Sequence, residues 1–243
     1  MEDFLLRAAS FKSKVTSFGL TFALVLGVVS PVFFAQEAKA ASVGSGNCTA
    51  TVGDSTKVTA TNVGGECVLT FTGSTTWTIP NGVNAVRVLI VGGGAGGYND
   101  GGGGGGGGGG ISSNSASTTP GATANISIGT GGATNSNGSA SQLDLDGNSS
   151  YEWIASGGSA GGDFSTRTGG SGGSGSTVPA GASSLSGGRG GDGPPNQNSG
   201  TAASNASLGD GFYSDISGTW QYYGGGGGGG ISSQSNNSTN ATY

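Results

Sequence analysis

Val86-Arg87-Val88-Leu89-Ile90-Val91 runs directly into Gly92-Gly93-Gly94-Ala95-Gly96-Gly97. After Tyr98-Asn99-Asp100 the chain continues as unbroken glycine from Gly101 to Gly110. The first part is a short, nearly all-apolar run rich in β-branched residues, the pattern of a strand buried on both faces. The second part has no side chains to bury. An ordinary helix is excluded there, because each interior glycine costs roughly 1 kcal/mol against alanine. The junction also fits G-x-G-x-x-G after an apolar strand, the pattern of dinucleotide-binding sites. That chemistry needs a helix whose N-terminus faces the pyrophosphate, and the glycines that follow cannot form one. A nucleotide cofactor is therefore rejected. No glycine run is followed by Lys-Ser or Lys-Thr, so there is no P-loop either.

Upstream of this junction the chain reads as a compact β unit, residues 41–91. Cys48-Thr49-Ala50-Thr51-Val52 and Val58-Thr59-Ala60-Thr61 are rich in β-branched residues and flank Gly53-Asp54-Ser55, which predicts a hairpin. Asn62 to Glu66 turns through Gly64-Gly65, and Cys67-Val68-Leu69-Thr70-Phe71-Thr72 reads as the next strand. Trp77-Thr78-Ile79-Pro80 is a short strand closed by proline and the Asn81-Gly82 turn. Cys48 and Cys67 are the only two cysteines. In an exported chain they read as one disulfide.

Residues 1–40 read as a secretory leader. Arg7, Lys12 and Lys14 precede an apolar stretch from Phe18 to Ala35, which ends in the small-x-small pattern Ala38-Lys39-Ala40. Cleavage after Ala40 is expected; an uncleaved N-terminal anchor is the alternative, and would be the chain's one link to a membrane. Both place the rest outside the cytoplasm, extracellular or at a cell surface.

The composition excludes several functions. The chain has 56 glycines in 243 residues, 9% charged residues, no histidine and a formal net charge of −5. Average glycine usage is about 7%. Histidine catalysis and histidine-ligated metals are absent by composition. The acidic balance excludes an electrostatic nucleic-acid binder. Collagen is excluded because the glycines come in runs and not at every third position.

From residue 92 to 243 the chain reads as a glycine-rich domain. Runs such as Gly101 to Gly110 and Gly224 to Gly230 alternate with short pieces, among them Asn125-Ile126-Ser127-Ile128, Trp153-Ile154-Ala155-Ser156 and Tyr213-Ser214-Asp215-Ile216. These pieces predict short strands with turns between them. Flexible linkers usually mix serine with glycine, whereas these runs are pure. The expected fold is therefore all-β: a small disulfide-linked N-terminal β unit, then packed polyglycine-type extended helices and short strands, with part of the chain disordered.

Phe71-Thr72-Gly73-Ser74-Thr75-Thr76-Trp77-Thr78-Ile79-Pro80-Asn81-Gly82-Val83, leading into Val86 to Gly97, resembles the opening of the bacterial secreted glycine-rich domain family. Asp210 to Tyr223, followed by its glycine run, is similar to a later segment of that family. The chain is more distantly similar to the glycine-rich region of a receptor tyrosine kinase ectodomain and to phage tail-tip adhesins. The resemblance implies packed polyglycine helices and a binding or structural role, and does not imply an enzyme. Family members usually finish with an apolar strand ending in arginine-tyrosine. This sequence stops at Ser238-Thr239-Asn240-Ala241-Thr242-Tyr243, so a truncated product is expected.

No catalytic, cofactor or metal residues are assigned. Leu143-Asp144-Leu145-Asp146-Gly147-Asn148 loosely resembles a calcium loop, but the twelfth position counted from Asp144 is Ala155, where an EF-hand needs glutamate. Asp144 and Glu152 are the carboxylates that a remote hydrolase reading would use. Trp153, Trp220, Tyr222 and Tyr223 are the largest side chains of the glycine-rich body and the candidate binding residues, either exposed for a ligand or filling gaps between glycine segments. The expected function is an exported, non-enzymatic surface protein with a structural or adhesive role. The alternative is a tip module binding cell-surface glycans or other surface proteins.

Overall fold

The computed structural model describes residues 4–8, 40–98, 106–148, 150–163, 165–177, 183–192 and 212–226. Fifteen strands lie among them, in three antiparallel sheets. The chain forms β1 (Phe4–Ala8), β2 (Ala41–Ser45), β3 (Cys48–Val52), β4 (Val58–Val63), β5 (Glu66–Phe71), β6 (Thr75–Thr78), β7 (Ala85–Val91) and β8 (Ile111–Ser117). It continues as β9 (Thr123–Ser127), β10 (Ser141–Asp144), β11 (Trp153–Ala155), β12 (Gly175–Thr177), β13 (Ser183–Leu185), β14 (Phe212–Ser214) and β15 (Gln221–Tyr223). Sheet A has the order β13-β8-β7-β1-β5-β4, and sheet B the order β12-β11-β10-β9-β6-β3-β2. Both sheets draw strands from either side of Val91.

The two large sheets pack as a sandwich because their strands alternate. Leu69 and Phe71 of β5 and Val86, Val88 and Ile90 of β7 share one buried cluster with Trp77, Ile126, Leu143 and Trp153 of sheet B. Residues of the opposite parity, Val68, Leu89 and Val91, form a second buried cluster with Ile216. These lie on the other face of sheet A, as a period of two requires. The C-terminal half of β7 is therefore apolar on both faces, whereas Arg87 in its first half is exposed.

Turn chemistry acts where it is strongest. Val63 pairs with Glu66 across Gly64-Gly65, and both glycines have positive φ, +59° and +90°, as a two-residue hairpin turn of the primed type demands. The Asn62 side chain accepts the Gly65 N–H at 3.2 Å. By contrast, the hairpin expected between Cys48–Val52 and Val58–Thr61 does not form. β3 pairs with β2 and β6, and β4 pairs with β5, in the opposite sheet. Asp54 is the reason. Its carboxylate accepts the Thr56 N–H at 3.0 Å and caps a single 3-10 turn at Ser55–Lys57, while Gly53 N–H is taken by Thr76 at 3.0 Å. The connection thus crosses between sheets instead of reversing within one.

The Cys48–Cys67 disulfide is formed, with a Cα–Cα distance of 5.0 Å and a sequence separation of 19. It joins β3 in sheet B to β5 in sheet A, so it staples the two layers. Reduction is expected to add the mass of two hydrogens and to cost about 3 kcal/mol of stability, the chain-entropy value for a loop of this length. Intact mass and urea unfolding with and without reductant check both. No mass change means no bond.

The glycine-rich segments extend the strands past one end of the sandwich. Segment 92–98 leaves β7, 106–110 enters β8, and 156–162 leaves β11. Their backbone groups are bonded between segments. Gly92 N–H donates to Gly110 and Ala95 N–H to Gly107, each at 2.9 Å; Gly93 N–H instead donates to Ser139 at 2.9 Å and Gly96 N–H to Ser136 at 3.0 Å. Successive donors thus address different neighbours, which satisfies buried backbone without side chains. The expectation of polyglycine-type helices is overturned. Among the described residues the only helical element is the three-residue 3-10 turn at Ser55–Lys57. These segments bond across to one another and not along themselves. Gly101 to Gly105 and Gly227 to Gly230 of the two longest runs lie outside the described residues.

Within the stretch read as a leader, residues 4–8 form β1, paired on one side with β5 and on the other with β7. Residues 9–39 lie outside the described residues. No helix among the described residues is long and apolar enough to cross a membrane.

Candidate functional site

The outer face of sheet A carries the third sheet, the hairpin β14–β15. Phe212 pairs with Tyr223, Tyr213 with Tyr222, and Ser214 with Gln221. The strand period sends alternate pairs to opposite faces. Phe212 and Tyr223 turn inward and pack on the cluster of Val68, Leu89, Val91 and Ile216. Tyr213 and Tyr222 turn outward, 49% and 64% exposed, beside Trp220 at 62%. The Tyr213 ring stacks on Trp220 with centroids 5.0 Å apart and planes 21° apart. It also meets Tyr222 at 4.6 Å and 37°. Three large exposed rings are so grouped into one aromatic platform on the outer face of the hairpin.

The platform is held from below and from the side. Ile216 in the connecting loop is buried and acts as the plug. Gly218 N–H closes the loop on Asp215 at 2.8 Å. The Tyr223 hydroxyl donates to Ser217 at 3.3 Å, and the Gln221 amide donates to the same oxygen at 3.0 Å. Arg87 of β7 reaches Asp215 at 3.0 Å. Both partners are well exposed, so this pair contributes at most about 1 kcal/mol; its value is positional. Between hairpin and sheet lies an open trough of about 390 Å³, floored by Ser113 and Ser115 and flanked by Arg87, Asp215, Tyr213 and Trp220. Aromatic faces beside hydroxyls and an ion pair suit a ligand with both apolar and hydroxylated surfaces.

Of the four aromatic candidates from the sequence, Trp220 and Tyr222 belong to this platform. Trp153 does not: it is 1% exposed, inside the sandwich. Tyr223 is half-buried and serves as a support. Tyr213, which bridges the platform, was missed as a site residue. The signal was present in the alternation of Phe212-Tyr213-Ser214 against Gln221-Tyr222-Tyr223, but only pairing register turns it into a cluster.

The carboxylates of the Asp144 loop also converge. One oxygen each from Asp144, Asp146 and Glu152 lies within 4.8 Å of the others. The backbone uses them: Asp144 accepts Gly147 N–H at 2.7 Å and the Asn125 amide at 3.0 Å, and Glu152 accepts Leu145 N–H at 3.1 Å. Burial raises the Glu152 pKa above the ordinary range. The loop is a capped turn between β10 and β11.

Asp163 is a plainer case of pKa control. Its carboxylate accepts the Ser165 hydroxyl at 2.7 Å, the Thr166 N–H and hydroxyl at 2.9 Å each, and the Ser165 N–H at 3.0 Å. The Ser165 hydroxyl bond most of all, and then the Thr166 bonds, hold its pKa down, from 3.8 to about 2. A depressed folded pKa means the turn is stabilised above 3.8, and that this stabilisation is lost as pH falls through about 2. Carbon NMR titration is expected to place the Asp163 midpoint near 2. A midpoint at the ordinary value would mean the turn bonds are not made.

A family model described as a glycine-rich domain matches residues 69–242, more than half of the chain. No curated protein and no solved structure matches it.

Proposed function

The chain belongs to the glycine-rich domain family, and from that premise we propose that it is an exported, non-enzymatic surface protein whose sandwich and glycine layer hold an adhesive aromatic platform. The observation that carries this reading is the exposed stack of Tyr213, Trp220 and Tyr222 on a hairpin anchored by Ile216. The Cys48–Cys67 bond suits an oxidising compartment, and the leader-like residues 1–40 suit export. Planar aromatic rings present a negative face to the slightly positive C–H edges of sugar rings, and the hydroxyls and ion pair of the neighbouring trough supply hydrogen bonds. Cell-surface glycans are accordingly the ligand class favoured over protein partners.

A glycan array probed with the full chain and with Trp220→Ala tests this. Binding to a defined set of glycans is expected, weakened at least tenfold by Trp220→Ala, with stability changed by less than about 0.5 kcal/mol, as for exposed sites generally. An array without hits, or hits indifferent to the substitution, would count against adhesion through this platform.

A further inference from the structure

β1 occupies a position in sheet A that no neighbouring segment of sequence supplies. It pairs Phe4 to Ala8 with Phe71 to Cys67 on one side, and Leu5 to Ala8 with Leu89 to Val86 on the other. Both pairings are antiparallel, so β5 and β7 run parallel to each other with one strand between them. Each flank is secured without β1. β5 is joined to β4 by the Gly64-Gly65 hairpin and to sheet B by the disulfide. β7 pairs along its whole length with β8. Leu69, Phe71, Val86 and Val88 all belong to the single inner core.

These anchors fix the width of the gap. With β1 taken away, two bare edges would face each other about 9.5 Å apart, twice the usual strand spacing. Direct pairing of β5 with β7 would need one of them to travel a full strand spacing, about 4.8 Å. The disulfide and the shared core oppose that movement. The edges can be satisfied only by a third strand, antiparallel to both, and unpaired edges of this kind recruit extended peptide. Both faces of the sheet are covered here, by the inner core and by the cluster containing Val68 and Leu89. A strand between two covered faces suits a sequence apolar at consecutive positions, and residues 4–6 read Phe-Leu-Leu.

We propose that the gap between β5 and β7 is a strand-acceptor site, in which Phe4–Ala8 is a replaceable occupant and the same segment binds when supplied in trans. A cut between residues 8 and 41 would leave the segment held only by its pairing with β5 and β7, free to dissociate and exchange. The inference does not rest on the leader reading or on the aromatic platform, because the test makes its own cut.

The full chain is folded with a specific protease site inserted between Ser10 and Phe11, then cut, and the short fragment is removed by gel filtration. Amide hydrogen exchange is followed at 67–71 and 86–89. Exchange at these edges is expected to rise at least tenfold, while protection of β9–β11 in sheet B persists. Adding a peptide of residues 1–10 in excess should restore protection to within threefold of the intact chain. The same peptide with Leu6→Pro, which removes a ladder N–H, should not. Three results would overturn the proposal: protection unchanged after removal, protection lost throughout and not recovered with peptide, or both peptides acting alike.

Discussion

Gly109→Ala is expected to destabilise the protein by about 4 kcal/mol, beyond the ~1–3 kcal/mol usual for an overpacked core. Gly109 is buried. A Cβ there would lie under 3.0 Å from the carbonyl oxygen, carbonyl carbon and Cα of Gly92, all backbone atoms. No rotamer change relieves that clash. Gly92 itself donates to Gly110 at 2.9 Å, so moving it breaks the bond that joins the two segments. The matched control is Gly131→Ala. Its nearest neighbour is the Gly94 oxygen at 3.7 Å, ordinary contact, and its φ is not in the left-handed region. That substitution should be neutral or stabilise by up to about 1 kcal/mol, by restricting the unfolded chain. Urea midpoints at constant slope measure both. Equal midpoints for the two variants would mean that the glycine segments are not packed on one another.

Trp153→Ala is expected to cost about 3–5 kcal/mol, the range for truncating a large buried aromatic. Total domain stability is about 5–15 kcal/mol, so this is a large fraction of the whole. Trp153 sits on β11, paired through its backbone with Leu143 on one side and Thr177 on the other, and its ring belongs to the inner core. Set beside Trp220→Ala, the variant separates two roles of one residue type in one glycine-rich body. The buried ring should change stability and the exposed ring should change binding. A stable Trp153→Ala protein with altered glycan binding would reverse the assignment.

Much of the fold was legible because its determinants are local. The Gly64-Gly65 turn, the burial of the apolar end of β7 on both faces and the short strands around Ile126, Trp153 and Tyr213 all follow from residues within a few positions of one another. The β3–β4 hairpin was misread because Gly53-Asp54-Ser55 has turn chemistry of two kinds, and the Asp54 cap won. The glycine segments were misread as helices because pure glycine carries no pattern. Nothing in such a run states which direction its N–H groups face. The platform was half legible: Trp220 and Tyr222 are conspicuous, but Tyr213 joins them only through cross-strand register.

By itself the sequence determined the strand-rich character, the disulfide, the exclusion of an ordinary α-helix through the glycine runs and the lack of histidine chemistry, since each depends on residue type or near spacing. The tertiary structure alone decided three things: which strands share a sheet, which tryptophan is buried, and that Phe4–Ala8 fills the gap between β5 and β7. Those outcomes are competitions between segments distant in sequence for the same edges and the same core. In the glycine layer the competition is settled by whichever carbonyl stands where a Cβ would have been.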